Sequence, residues 1–392
     1  MSLKSIELFS GAGGLALGIS NAGFEHDAIF EWNKHACDTL RQNKELGIAP
    51  ISKWSIVECD VRKFDFRNLN NELTLLAAGP PCQPFSQGGK HRGHKDERDM
   101  FPVTIEALDA LRPKIFLIEN VKGLLRHSFA TYFEYILLRL SYPSLKRRKS
   151  ENWSDHLSRL EQQQSKGAPR EYNIVFQLLN AANYGVPQIR ERVFIVGFRS
   201  DLNVSWSFQK NVPQTNSLDS LLWSQWVSSE YWERHKVSKK DRGVVPHKFL
   251  SIVTELRASN NQPLIKPWIT VRDAICDLPD PEKYPSSGIS NHVFNPGAKI
   301  YAGHTGSLLD LPAKTLKAGD HGVPGGENMI AFSNGRVRYF TVRESARIQT
   351  FPDEYLFFGS WTESMRQLGN AVPVKLGQAI ATGLRSSLND GI

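Results

Sequence analysis

Five apolar runs punctuate the first third of the chain at short intervals: "SIELFS" (5–10), "AIFEW" (28–32), "SIVECD" (55–60), "LTLLAAG" (73–79) and "KIFLIENV" (114–121). Each is too short for a helix and has the apolar content of a buried strand. Helical pattern fills the intervals. "LALGISNAG" (15–23) ends on Gly23, a favoured residue just past a helix, a second helix begins near Asn33, and a third covers about 101–112 before Pro113. Strands alternating with helices predict an α/β domain built on a doubly wound, mainly parallel sheet. Two later runs, "NIVFQLLNA" (173–181) and "RVFIVGF" (192–198), are close enough in sequence to form an antiparallel hairpin at one edge.

That hairpin closes a first domain, 1–199. From about 141 to 171 the text is polar and includes "KRRK" (146–149), which predicts a partly helical surface excursion. Its basic run suits a solvated face better than a phosphate contact. From about 200 the alternation fades into Trp-, Ser- and Pro-rich sequence, predicting a smaller, irregular domain over 200–335. Regular pattern returns over 336–392 with "VRYFTVRESARIQTF" and "MRQLGNAVPVKLGQAIATGL". The formal net charge of +8 favours a polyanionic partner. Four cysteines in 392 residues make no disulfide framework and none sits at zinc spacing, so no metal is expected. No run has the length for a signal peptide or a membrane span, and the expectation is a protein of the reducing cytoplasm without a membrane partner.

Two features carry chemistry. The turn Gly11-Ala12-Gly13-Gly14 lies between a strand and a helix, with Glu31 ending the next strand about 20 residues on and Asp60 ending the third. Glycines admit a ligand close to the backbone, and carboxylates accept from ribose hydroxyls and an adenine amine. This describes an adenosine slot without separating NAD from S-adenosylmethionine. The second feature is "GPPCQPFSQGG" (79–89), where Pro80, Pro81 and Pro84 hold Cys82 outside regular structure, just past a strand's carboxyl end. A thiol there is placed to act as a nucleophile if partner groups stand near it.

"FSGAGG", "PPCQPFS", "ENV", "QIRER", "RESARIQTFPDEY" and "GNAVP" stand in one order along the chain. In that combination the sequence resembles the DNA (cytosine-5)-methyltransferase family in its bacterial restriction–modification form, over residues 5–198 and 312–384. The resemblance implies a Rossmann-like S-adenosylmethionine-dependent methyltransferase sheet and a target-recognition domain in the variable stretch. It implies Cys82 as the nucleophile adding to cytosine C6, Glu119 on N3 and the exocyclic amine, Arg192 on O2, and Arg190 in support. Phe9 would stack on adenine, Ser10 with Gly11, Gly13 and Gly14 would line the methionine moiety, and Glu31 would hold the ribose. Trp32 would lie against the ring and Asp60 at the adenine amine, with Pro80, Asn370 and Val372 completing the pocket. The target base must leave the duplex, and Ser86, Gln87, Arg98 and Gln188 are the expected contacts to DNA. Arg272, in "ITVRDAICDLP" (269–279), is expected to pack rather than to read bases.

Double-stranded DNA is thus the implied partner, the enzyme a monomer, and a cognate restriction endonuclease its functional counterpart. A tRNA methyltransferase of the same fold lacks a use for the long variable stretch. A catalytically dead DNA-binding regulator has no need of Cys82, Glu119 and Arg192 together.

Overall fold

The computed structural model describes residues 2–69, 72–81, 99–216, 219–258, 265–285, 288–300, 302, 304–319 and 328–389. The elements of the first half are β1 (Leu3–Leu8), α1 (Gly14–Asn21), β2 (Phe24–Glu31), α2 (Lys34–Glu45), β3 (Ile56–Glu58), β4 (Leu75–Ala78), α3 (Phe101–Leu111), β5 (Ile115–Val121), α4 (Ala130–Ser141), α5 (Trp153–Ser165), β6 (Tyr172–Asn180) and β7 (Glu191–Arg199). Seven strands make one sheet in the order β3-β2-β1-β4-β5-β7-β6. The first five pair in parallel, and β7 runs antiparallel between β5 and β6. The expected edge hairpin is therefore present, with its second strand inserted against β5.

Both faces of the sheet are covered, which is why these strands read as near-continuous apolar runs. Leu76 and Ala78 of β4 and Phe116 and Ile118 of β5 join one core with α3, α4 and α5. Leu75, Ala77, Ile115 and Leu117 point the other way, into a core shared with α1 and the carboxyl-terminal helix. The strand order reverses between β1 and β4, so their carboxyl ends flank the crevice where doubly wound sheets hold ligands.

The second half adds α6 (Phe208–Asn211), α7 (Asp219–Val227), α8 (Glu230–Arg234), α9 (Leu250–Ala258), α10 (Val271–Ile275), a small sheet of β8 (Ser307–Leu308), β9 (Met329–Ala331) and β10 (Val337–Tyr339), then α11 (Val342–Ile348), α12 (Trp361–Asn370) and α13 (Val374–Asn389). Trp223, Trp226, Tyr231, Trp232, Val237, Val245 and Val253 form an apolar cluster of their own. The division expected at 335/336 falls inside the antiparallel β9–β10 pair, because strands this short give no apolar run to read. Arg272 is held by Asp310 through two bonds of 2.6 and 3.0 Å, a packing position.

The chain's end returns to its start. α13 lies so close to α1 that a Cβ at Gly18 would sit 2.6 Å from the Gln378 nitrogen and 2.7 Å from the Val374 carbonyl oxygen. Tyr355 donates to the Ala12 carbonyl at 2.6 Å, pinning the glycine turn from 343 residues away. The polar excursion is less solvated than its composition suggests. His156, Leu157 and Leu160 of α5 are buried, and Tyr135 of α4 bonds His156 Nδ1 at 2.9 Å.

Candidate active site

β1 ends at Leu8, and the next residue, Phe9, has φ of 59°. For a bulky non-glycine residue this left-handed conformation costs about 1–2 kcal/mol, and such strain persists where surrounding structure enforces it. Gly11 and Gly13 follow at φ 53° and 79°, values open to glycine, so the chain folds back on itself before α1 begins. Ser10 anchors this turn by donating its N–H to the Phe30 carbonyl at 3.1 Å. Its hydroxyl oxygen is buried with no hydrogen-bond partner among the described residues, a polar atom waiting for a ligand.

Glu31 ends β2 and is buried. One oxygen accepts from Gly11 N–H at 2.7 Å, and the other from Trp32 and Asn33 N–H at 2.9 and 2.8 Å. Three backbone donors fix the carboxylate and leave acceptor capacity free for a hydroxyl, since an ionised carboxylate offers about four lone-pair sites. Trp32 projects beside it at 67% exposure, far from the usual place of an indole in a core. Asp60 is engaged differently: Arg62 binds both its oxygens through Nε and Nη2 at 2.7–3.1 Å. An amine arriving there shares a carboxylate already held below its ordinary pKa by that guanidinium.

Across the crevice β4 leads to Gly79 and Pro80, the approach to Cys82. Asn120 of β5 donates Nδ2 to the Pro80 carbonyl at 3.3 Å, tying "ENV" to the cysteine loop. Glu119 Oε2 lies 3.8 Å from where a Gly79 Cβ would stand, which puts the acid beside the end of β4. Glu119 is buried and forms an ion pair with Arg192 Nε at 2.9 Å. Register places them together: Val121 of β5 faces Arg192 of β7 in the antiparallel pair. Burial raises the Glu119 pKa above the usual carboxylate range, against the opposing pull of Arg192 and Arg190. The acid thus holds its proton more tightly than a solvated carboxyl does, beside a fixed cation.

Arg190 is 1% exposed and donates to three carbonyls: Leu316 at 3.1 Å, Gly369 at 2.7 Å and Ala371 at 3.0 Å. It braces β7 against the segment before β9 and against "GNAVP". Gln188, expected to touch DNA, is fully buried instead. Its amide accepts from Leu316 N–H at 2.9 Å and donates to Gln349 at 3.2 Å, so both ends are spent inside the protein. Val372 is buried, and its carbonyl oxygen would stand under 3.0 Å from a Cβ at Gly14, so the carboxyl-terminal turn rests on the glycine turn. Asn370 ends α12 and is exposed. Cys82, Ser86, Gln87 and Arg98 lie outside the described residues.

Phe9, Ser10, the glycine turn, Glu31, Pro80, Glu119, Asn120 and Val372 therefore come from strand ends and turns around one crevice. Tyr355 and Asn120 were not anticipated as parts of it. Asn120 sits within a motif already singled out, but nothing local to Tyr355 signals its bond to Ala12. Among the described residues, no group of three or more His, Cys, Asp and Glu could hold a metal, and no helix is long and apolar enough to cross a membrane.

The model of the C-5 cytosine-specific DNA methylase family matches residues 3–142 and 145–386. Type II methyltransferase M.PspPI of a Psychrobacter species is 31% identical over 99% of this chain and 80% of its own length. Type II methyltransferase M.NgoMIV of Neisseria gonorrhoeae is 30% identical, with 99% of each chain covered. The crystal structure of a Spodoptera frugiperda DNMT2 mutant has the same fold, at a TM-score of 0.58 and 16% identity over 98% of this chain and 100% of that one. A family match that runs from β1 into α13 joins the glycine turn, the Glu119–Arg192 pair and the returning carboxyl end in one unit: the chain belongs to the C-5 cytosine-specific DNA methylase family.

Proposed function

We propose that the chain methylates C5 of a cytosine within a specific sequence of double-stranded DNA, using the crevice at the β1/β4 switch point. The observation that carries this reading is the buried Glu119 paired with Arg192 at 2.9 Å, bordering the segment that leads to Cys82. Cytosine C5 is a weak nucleophile. Addition of the Cys82 thiolate to C6 makes C5 enamine-like and places negative charge on the ring. Glu119, when protonated, donates to N3 as that charge develops, and Arg192 holds O2. Once C5 carries the methyl group, its proton passes to solvent water, the C6–S bond breaks as the N3 proton returns to Glu119, and the Cys82 thiolate is regenerated.

S-adenosyl-L-methionine, when bound, supplies an electrophilic sulfonium methyl and leaves as S-adenosyl-L-homocysteine. The residues around Phe9 fit it: Glu31 retains acceptor capacity for ribose hydroxyls, the Ser10 hydroxyl lacks a partner, and Trp32 offers an open ring face. Asp60 serves the adenine amine while keeping Arg62. Asn370 and Val372 complete the pocket.

The target base must leave the stack to reach this crevice, and Ser86, Gln87 and Arg98 after the nucleophile are the proposed DNA contacts. Residues 200–335 supply the sequence reading, within a catalytic frame of 1–199 and 336–392. The enzyme acts as a cytoplasmic monomer in a bacterial restriction–modification system, protecting host DNA from a cognate endonuclease. Tritiated S-adenosylmethionine offered with duplex DNA or with tRNA tests the substrate class. Label in DNA, lost in Cys82→Ser, is the expected result; label in tRNA alone overturns it.

A further inference from the structure

α3, α4 and the start of the 141–171 excursion enclose a cavity of about 310 Å³ that the proposed reaction does not use. Its walls are built from two kinds of group. Tyr132 and Tyr135 of α4 and Trp153 at the start of α5 give it an aromatic side, with ring centroids 5.8–5.9 Å apart. Arg139, Lys146 and Arg147 give it a cationic one. Positions 132, 135 and 139 share one face of α4, so the helix itself presents two rings and a guanidinium together.

Arg139 is the unusual member. It is 9% exposed, its Nε has no hydrogen-bond partner, and no carboxylate lies within ion-pair distance of it among the described residues. Its guanidinium carbon stands 6.0 Å from the Tyr135 ring centroid, a contact that neutralises no charge. Its Nε is withdrawn from water with no anion to compensate, which is costly. The acidic lining residues do not supply one. Asp109 is taken by Lys146 at 2.9 Å, Asp99 accepts the Tyr132 hydroxyl, and Glu106 is exposed.

We propose that this cavity is a second ligand site, for a nucleoside monophosphate: the phosphate on Arg139 and Arg147, the base against Tyr132 or Trp153, and a sugar hydroxyl on Glu106. The volume falls in the range of small-molecule sites, about 300–1,000 Å³. A bare phosphate leaves the aromatic side of the cavity unfilled, and a neutral nucleoside brings no charge to Arg139. The ligand has two sources, a free nucleotide or the 5′-phosphorylated terminal nucleotide of a DNA strand.

Thymidine 5′-monophosphate is the probe, titrated calorimetrically into the whole protein saturated with S-adenosyl-L-homocysteine so that the adenosine slot is filled. Expected is binding of the nucleotide and at least about tenfold weaker binding of thymidine, since charge-assisted contacts to phosphate are the stronger ones. Arg147→Ala, an exposed change, and Arg139→Met each weaken nucleotide binding about tenfold or more while duplex methylation stays unchanged. Photocrosslinking with 5-iodo-2′-deoxyuridine 5′-monophosphate places the adduct on Tyr132, Tyr135 or Trp153. A duplex with a 5′-phosphorylated overhang that competes with the probe, where its unphosphorylated form does not, identifies the strand end as the source; competition by free nucleotide alone identifies the other. Equal affinity for nucleotide and nucleoside, indifference to Arg147→Ala, or adducts elsewhere overturns the proposal.

Discussion

Replacing Gly14 with alanine tests whether the two ends of the chain build one pocket. The new Cβ would stand under 3.0 Å from the Val372 carbonyl oxygen, 3.2 Å from Phe351 Cζ and 3.3 Å from the Ala371 Cβ. Ordinary carbon contacts need about 3.5 Å or more, so backbone must shift by roughly 1 Å. The oxygen belongs to a turn that cannot rotate away, because Ala371 O is held by Arg190 at 3.0 Å and Val374 N–H by the Gln349 carbonyl at 3.1 Å. Overpacking of this kind costs about 1–3 kcal/mol, partly offset by about 1 kcal/mol of alanine's better helix propensity. The net loss, up to about 2 kcal/mol, lowers the melting temperature by at most a few degrees. The larger effect falls on binding, since the displaced turn carries Asn370 and Val372. Isothermal titration with S-adenosyl-L-homocysteine should show affinity reduced at least about tenfold, or 1.4 kcal/mol. Gly18→Ala is the control: it crowds α13 at 2.6 and 2.7 Å, one helical turn further along, and should destabilise without weakening binding. Wild-type affinity in Gly14→Ala, or equal losses in both variants, refutes the reasoning.

Glu7, next to the last residue of β1, is 1% exposed with one unpartnered oxygen, and burial raises its pKa well above the ordinary 4.5. The folded state therefore holds a proton that the unfolded state releases: stability is fully present below about pH 4.5 and falls as pH rises through the folded pKa. Glu7→Gln should remove that decline, so its urea midpoint gains on the wild type as pH rises; parallel curves contradict this. Tyr355→Phe deletes the 2.6 Å bond to Ala12 O, buried on both sides. It should cost about 1–3 kcal/mol in denaturant unfolding, because an acceptor is left unpaired. Arg338 and Glu344 form a buried bidentate pair at 2.8 Å that also caps α11. Arg338→Met should lose about 3–5 kcal/mol, as leaving one buried charge alone does, and an unchanged unfolding midpoint would refute the assignment.

The parallel core was legible because its strands are buried on both faces: "LLAA" and "IFLI" are apolar without alternation. The glycine turn and Glu31 were legible for a local reason, since turn, helix start and next strand end lie within 25 residues. What escaped is long-range or conformational. Nothing in "ELFSG" announces that Phe9 takes a positive φ. Arg190 looks like a site arginine in "QIRER", yet its three carbonyl partners come from segments more than 120 residues away. Gln188 is polar and lies in the "QIRER" motif, but both its amide atoms bond inside the protein, to Gln349 and Leu316. α4 went unread between the "ENV" strand and the polar excursion, and the excursion was read as solvated because its few apolar residues, Trp153, Leu157 and Leu160, are spaced to meet that helix rather than clustered.

The central claim is that Cys82 attacks a cytosine held by Glu119 and Arg192. A duplex library carrying 5-fluorocytosine tests it directly, because fluorine at C5 blocks the last elimination and leaves enzyme bonded to base. Incubated with S-adenosylmethionine, the protein should give a denaturation-stable adduct whose digested peptide maps to Cys82, and the trapped duplexes should share one sequence. An adduct on another residue, or none from folded protein that binds S-adenosyl-L-homocysteine, would contradict the account.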